Sequence, residues 1–238
     1  MKILALECSA CSASVCIVEN GKILSSSYIN VKMTHSQTLL PMVESALNSA
    51  KITLKDINAL AVSAGPGSFT GIRIAISAVK GLALKDKLPS IGVSTLESMA
   101  QLYKSQDGII CTVMDARCNQ VYNALFRVQN GTVARLCDDR AILCDELKNE
   151  LITNFTNENI IVTGDGSDLF YNFVADCDNV RIAPENLKYQ NAVGVAFAAE
   201  IKLKDNVVSS PSELLPIYLR LPQAERELKK RKTDNKES

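Results

Sequence analysis

One histidine, His35, stands in a chain of 238 residues. Zinc centres draw four ligands from clustered histidines, cysteines and carboxylates, so metal chemistry here would fall to the cysteines. Of the eight cysteines, only Cys8 and Cys11 have CxxC spacing, and no second CxxC follows. That pair lies between two strand-like runs rather than at a helix start, where a redox pair belongs. The cysteines therefore read as reduced structural thiols, with Cys16, Cys111 and Cys118 in or beside strands. Net charge is missing too, since 26 Lys and Arg balance 26 Asp and Glu. This balance argues against a chain that grips nucleic acid alone through a broad basic face. No apolar run reaches the roughly 18 residues that span a bilayer. Glu7 interrupts the first apolar run, and one Lys makes a poor leader. The opening is expected to be a buried strand of a cytoplasmic protein, not a lipoprotein signal.

What is present points to a globular chain. Apolar residues make up 47% and charged residues 22%, ordinary values for a domain, and the length allows one large domain or two modest lobes. KILALEC (2–8), SVCIVEN (14–20) and KILSSSYIN (22–30) read as three strands, the last two joined through Asn20-Gly21. Leu39, Leu40, Val43, Ala46, Leu47 and Ala50 recur at helical spacing. Thr34 or Ser36 can cap that helix, and Pro41 either lies in its first turn or marks a break. A strand over 57–64, a glycine loop, an apolar helix, a strand over 90–94 and a helix from Thr95 follow.

The second half repeats this plan. GIICTVMDA, QVYNALFRVQ and TVARLCD read as strands and DELKNELITNF as a helix. IIVTGDG is a strand with its turn, and SDLFYNFVADC and residues 191–204 are helices. An α/β protein built by internal duplication is expected, with helices packed on mixed sheets. The lobes are expected at 1–106 and 107–222, with a polar, disordered tail over 223–238 whose KKRK run is a solvated stretch.

SAGPGSFTGIRIAISAVKGLAL (63–84) carries the most information. A glycine loop opening a helix often cradles a phosphate, yet this one lacks the Lys-Ser/Thr ending of a P-loop. Gly65, Pro66, Gly67 and Gly71 shape a tight turn, and Ser68 can cap the helix. Behind the loop, only Thr70, Arg73, Ser77 and Lys80 interrupt the apolar surface. A helix apolar on nearly every side is buried on more than one of them. Its own sheet supplies one cover; a second helix layer or another chain supplies the other. Arg117 reads as one half of an ion pair, with Asp115 or a turn carboxylate, ahead of a substrate contact.

The segments ILALECS, HSQTLLPMVESAL, INALAVSAGPGSFTGIRIAISAVKGLAL, IGVSTLESMA, MDARCNQVY, VTGDGS and PIYLR resemble the TsaB (YeaZ) family, a branch of the actin, Hsp70 and sugar-kinase superfamily. The resemblance covers residues 1 to about 222. It implies two actin-like (ribonuclease H-like) lobes, each a mixed sheet with packed helices. It also implies a partner or activator subunit of the complex that transfers threonylcarbamoyl to the adenosine beside the anticodon of tRNAs reading codons that begin with A. The implied partners are a TsaD-like catalytic paralog, a TsaE-like ATPase, tRNA through the complex, and a second copy of the chain when TsaD is absent. ATP and a metal are expected in the partner subunits, with no cofactor held tightly here. The implied interface comprises Leu39, Leu40, Val43, Phe69, Ile72, Arg73, Ile76, Val79 and Lys80.

Two departures bear on catalysis. TsaD-like proteins hold their metal with two histidines four residues apart, whereas here Leu39 stands four residues after His35. Kinase-like relatives carry Asp at the end of the first strand and a glycine-bearing phosphate turn. Here Glu7 replaces the Asp, and Ser9-Ala10-Cys11-Ser12 has no glycine. Glu7, Ser9 and Asp165 are thus expected to be vestiges of a nucleotide site, although Asp165-Gly166-Ser167 reads equally as a second phosphate loop or a plain turn. The alternative is an autonomous small-molecule kinase or ATPase of the same fold.

Overall fold

The computed structural model describes residues 1–31 and 34–220. Strand β1 (Lys2–Glu7) turns through residues 8–12 into β2 (Ala13–Glu19). Asn20 and Gly21, with φ of 50° and 78°, turn β2 into β3 (Lys22–Ile29); positive φ at both turn residues matches the twist of a two-residue hairpin. Helix α1 (His35–Ala50) follows. It runs straight through Pro41, so neither the first-turn placement nor the break expected there occurs. Pro41 sits on the exposed face, where water can satisfy the carbonyl that its missing N–H leaves open. Thr34 precedes the helix without a side-chain cap bond.

A 3-10 turn (Leu54–Asp56), β4 (Ala59–Gly65), α2 (Phe69–Ala83), β5 (Ser90–Ser94) and α3 (Thr95–Gln101) complete the first repeat. The second contains β6 (Gly108–Arg117), β7 (Gln120–Gln129), β8 (Thr132–Arg135), β9 (Arg140–Leu143) and α4 (Cys144–Asn154). It continues with β10 (Ile160–Thr163), α5 (Ser167–Val174), β11 (Val180–Ile182), α6 (Glu185–Lys188) and α7 (Ala192–Lys204). The first sheet is ordered β3-β2-β1-β4-β5 and the second β8-β7-β6-β10-β11, with β9 also pairing β7. Strand for strand the two orders correspond, so the expected duplication is present in the topology. The sequence reading missed β9, β11 and α6, because three or four residues carry too little periodicity to declare an element.

Alternation along β1 explains how the first lobe is layered. Leu4 and Leu6 face α1 and α2, packing with Val43, Ile72 and Val79. Ile3 and Ala5 face the other way, against Val195, Ala196 and Ala199 of α7. A strand covered on both faces is apolar throughout, as β1 is. On the second sheet, α4 and α5 cover Ile109, Cys111 and Val113, while α3 covers Ile110, Met114 and Phe126.

The two repeats thereby exchange helices. The helix α3 ends the first repeat but packs on the second sheet, and α7 ends the second but packs on the first. They meet between the sheets, where Gly194 lies too close to the Ser98 carbonyl for a Cβ to fit. The division at 106/107 separates the repeats but not the packed bodies. Residues after α7 also return to the first lobe. Ser209 and Ser90 exchange two backbone hydrogen bonds of 3.0 Å, and Ile217 N–H donates to Ala64 O at 2.7 Å. The tail expected over 223–238 lies outside the described residues. No described helix is long and apolar enough to cross a membrane.

Candidate functional site

The glycine loop after β4 docks onto protein. Ser68 N–H donates to Ser9 O at 2.6 Å, and Ser68 Oγ accepts from Gly71 N–H at 3.2 Å, capping α2. Gly67 has φ of 154°, and a Cβ there would collide with the Ser9 carbonyl; at Gly71 it would collide with the Cys8 carbonyl. Glycine is required at both positions because the loop and α2 lie directly on the turn after β1. Gly65 and Pro66 are buried beneath the return segment.

The structure divides the expected interface residues into two groups. Val43, Ile72, Ile76 and Val79 are at most 5% exposed and belong to the core. Their placement at an interface is corrected: Ile72, Ile76, Val79 and Ala83 form one stripe at spacings of three and four, facing the sheet. The outward face of α2 carries Thr70, Arg73 and Ser77, flanked by half-buried Ile74 and Ala78. Between it and α1, where Leu40 is 51% exposed, runs an open groove of about 670 Å³. Leu39, Leu40, Phe69, Arg73, Ile74 and Ala78 line it. Lys80 turns away, its Nζ donating to Ser212 O at 3.3 Å.

One contributor had no role in the sequence reading. Tyr218 stacks on Phe69 with ring centroids 4.7 Å apart, and its hydroxyl accepts from Arg73 Nε at 2.8 Å. The Arg73 guanidinium lies 3.7 Å above the Phe69 ring. Two residues on, Arg220 donates to Ala116 O at 2.6 Å, tying the return segment to the second lobe. PIYLR was the available signal, as an aromatic and an arginine within an otherwise featureless stretch.

The expected nucleotide positions meet between the lobes. Glu7 is fully buried, accepting from Ser9 N–H at one oxygen and from Ser63 Oγ–H at the other. Burial pushes its carboxyl above the usual range. In the turn that follows, His35 Nε2 donates to Ala10 O at 2.8 Å, and Ser12 Oγ donates to Gln190 O at 3.1 Å. The Gln190 amide donates at 2.7 Å to Asp165 in the turn after β10. Burial, reinforced by Asp115 and Glu7, pushes the Asp165 carboxyl up to about 6. Gln190 is wholly buried and joins the turn after β1 to the turn after β10. Among the described residues, no Lys or Arg pairs with Glu7 or Asp165.

Smaller expectations also have their places. Arg117 pairs with Asp115 at 3.1 Å. All eight cysteines are free thiols, and burial pushes Cys8 and Cys16 up to about 12. Among the described residues, no group of three or more His, Cys, Asp or Glu is placed to hold a metal.

Comparison with known proteins bears on this geometry. The family model of TsaD, tRNA N6-adenosine threonylcarbamoyltransferase, matches residues 22–228. The Escherichia coli K12 tRNA threonylcarbamoyladenosine biosynthesis protein TsaB is 36% identical over 68% of this chain and 71% of its own. Its Bacillus subtilis 168 counterpart is 28% identical over 94% and 96%. The solved structure of YeaZ from Pseudomonas aeruginosa superposes with a TM-score of 0.77 at 27% identity, covering 92% of this chain and 99% of that one. Those matches span both lobes as well as the groove, and the chain belongs to the TsaB (YeaZ) family.

Proposed function

We propose that this chain is the non-catalytic partner subunit of the complex that transfers a threonylcarbamoyl group to the adenosine beside the anticodon of tRNA. It docks its TsaD-like catalytic paralog in the groove between α1 and α2. The observation that carries this reading is the groove itself: an apolar channel exposing Leu40, Ile74 and Ala78 on a lobe whose sheet is already covered on both faces. The same face joins two copies when TsaD is absent. The TsaE-like ATPase and tRNA meet the chain through the assembled complex, in the cytoplasm.

The cleft supports a chain that performs no chemistry of its own and holds no nucleotide tightly. A triphosphate entering it would meet the buried Glu7, the half-buried Asp165 and a turn whose backbone atoms are bonded to protein. ATP and the metal belong to the partner subunits. Titration of the paralog against wild type and Leu40→Glu tests the docking, with a thermal melt confirming that the variant folds. Wild-type binding that the variant loses supports the groove; equal binding by both overturns it. Tight ATP binding by the isolated chain would restore the kinase reading.

A further inference from the structure

The groove is largely apolar, with His35, Ser36, Thr70 and Ser77 at its edges, and it holds one arginine whose pairing is unfinished. Arg73 is fixed on two sides, its guanidinium plane on the Phe69 ring at 3.7 Å and its Nε on the Tyr218 hydroxyl at 2.8 Å. Its two terminal nitrogens have no hydrogen-bond or ion-pair partner among the described residues. A guanidinium has five donors in a rigid plane and matches a carboxylate through two parallel bonds. Stacking and the Nε bond remove most of the freedom a long side chain would otherwise lose on binding. We propose that Arg73 is a preorganised anchor for a carboxylate side chain of the protein that occupies the groove. This inference rests on the docking role argued above and names the chemistry the partner must present.

Its surroundings favour a carboxylate over a polyphosphate. Leu40, Ile74 and Ala78 suit an apolar helix carrying a single acid, whereas a nucleic-acid backbone needs several cations in a row. The cation nearest along α2, Lys80, is directed to Ser212 O. Tyr218 is a positioning residue: it touches Arg73 and orients it, and its ring extends the stack. Arginine and lysine are not equivalent at such a site, because an ammonium has neither the plane to stack nor the fork to pair.

The test is a titration of the full chain against its TsaD paralog at low and high salt. It compares wild type with Arg73→Met, Arg73→Lys, Tyr218→Phe and Leu40→Glu, each checked by thermal melting. Arg73→Met is expected to weaken binding by about tenfold or more and to flatten its salt dependence, with Arg73→Lys recovering little. Tyr218→Phe keeps the stack but frees Nε, and is expected to weaken binding several-fold; it also keeps the test decisive should Arg73→Met fail to fold. If both variants bind like wild type while Leu40→Glu does not, the anchor is wrong and the groove stands. If Leu40→Glu also binds normally, the docking reading itself has failed. Should Arg73→Met spare the paralog but weaken binding to tRNA, the guanidinium serves phosphate and the carboxylate proposal is overturned.

Discussion

Helices α1 and α2 on the first sheet have counterparts in α4 and α5 on the second, reached through the same strand order. Inward, the two pairs behave alike, each burying an apolar stripe on its sheet. Outward they differ. The face of α4 is dressed for water: Lys148 pairs with Asp176 at 3.0 Å and Arg140 with Glu150 at 2.6 Å. Among the described residues, no ion pair involves α1 or α2. The two lobes share a strand order but differ in the outer surface that their helix pairs present. The second lobe thus acts as an internal control for the first.

The largest expected effect breaks that comparison directly. Leu40 on α1 and Ile152 on α4 are similarly exposed, at 51% and 43%. Leu40→Glu buries an unpaired charge in the docked state and is expected to cost about 3 kcal/mol or more of affinity for the paralog. Ile152→Glu is expected to leave affinity unchanged. Both are exposed, so each is expected to change stability by about 0.5 kcal/mol or less. Equal losses of binding would mean that the second lobe docks as well.

A second pair sharpens the division between core and surface on α2. Ile76→Ala removes a 5% exposed side chain and is expected to cost about 2–4 kcal/mol of stability by chemical unfolding. Ile74→Ala, at the groove, is expected to cost under about 1 kcal/mol while weakening docking. Reversed effects would place the sheet-facing stripe on the wrong side of the helix.

The third prediction concerns the cleft, where the lobes face each other. Asp165 has a folded-state value near 6 because burial, with Asp115 and Glu7 adding to it, favours the neutral form. The unfolded carboxyl titrates near 3.9. Between these values the folded chain binds more protons than the unfolded one, so stability falls as pH rises from about 4 to about 6 and stays low above. Asp165→Asn retains an oxygen that can accept from Gln190. Melts are expected to show it near wild type at pH 4 but about 2 kcal/mol more stable at pH 8. A parallel pH profile would show that Asp165 is solvated and that the cleft is open.

Sequence patterns revealed the repeats because strands covered on both faces stay apolar, and because Asn20-Gly21 marks a hairpin with positive φ. They led to the expectation that α2 is buried on more than one side, but did not say which residues face the sheet and which the open groove. Ile72, Ile74, Ile76 and Val79 are chemically alike, and only the direction of the sheet tells core from groove. The exchange of α3 and α7 was hidden because the residues of a buried helix do not say which sheet it packs on. Tyr218 was hidden for another reason: its role depends on contacts 145 residues away in sequence.

The smallest effect returns to the loops that open the equivalent helices α2 and α5. Ser68 caps α2 with its side chain, whereas Gly166 precedes α5 without a side-chain cap bond. Ser68→Ala is expected to lower stability by about 1 kcal/mol, and Ser68→Gly by a few tenths, since glycine is itself tolerated at that position. Neither is expected to alter docking beyond that loss, because Ser68 works on the Gly71 N–H and not on the groove. A normal melt combined with lost docking would make the loop part of the contact surface. A lower melt with docking intact would confine it to starting and aiming α2, leaving recognition to the side chains that the helix presents.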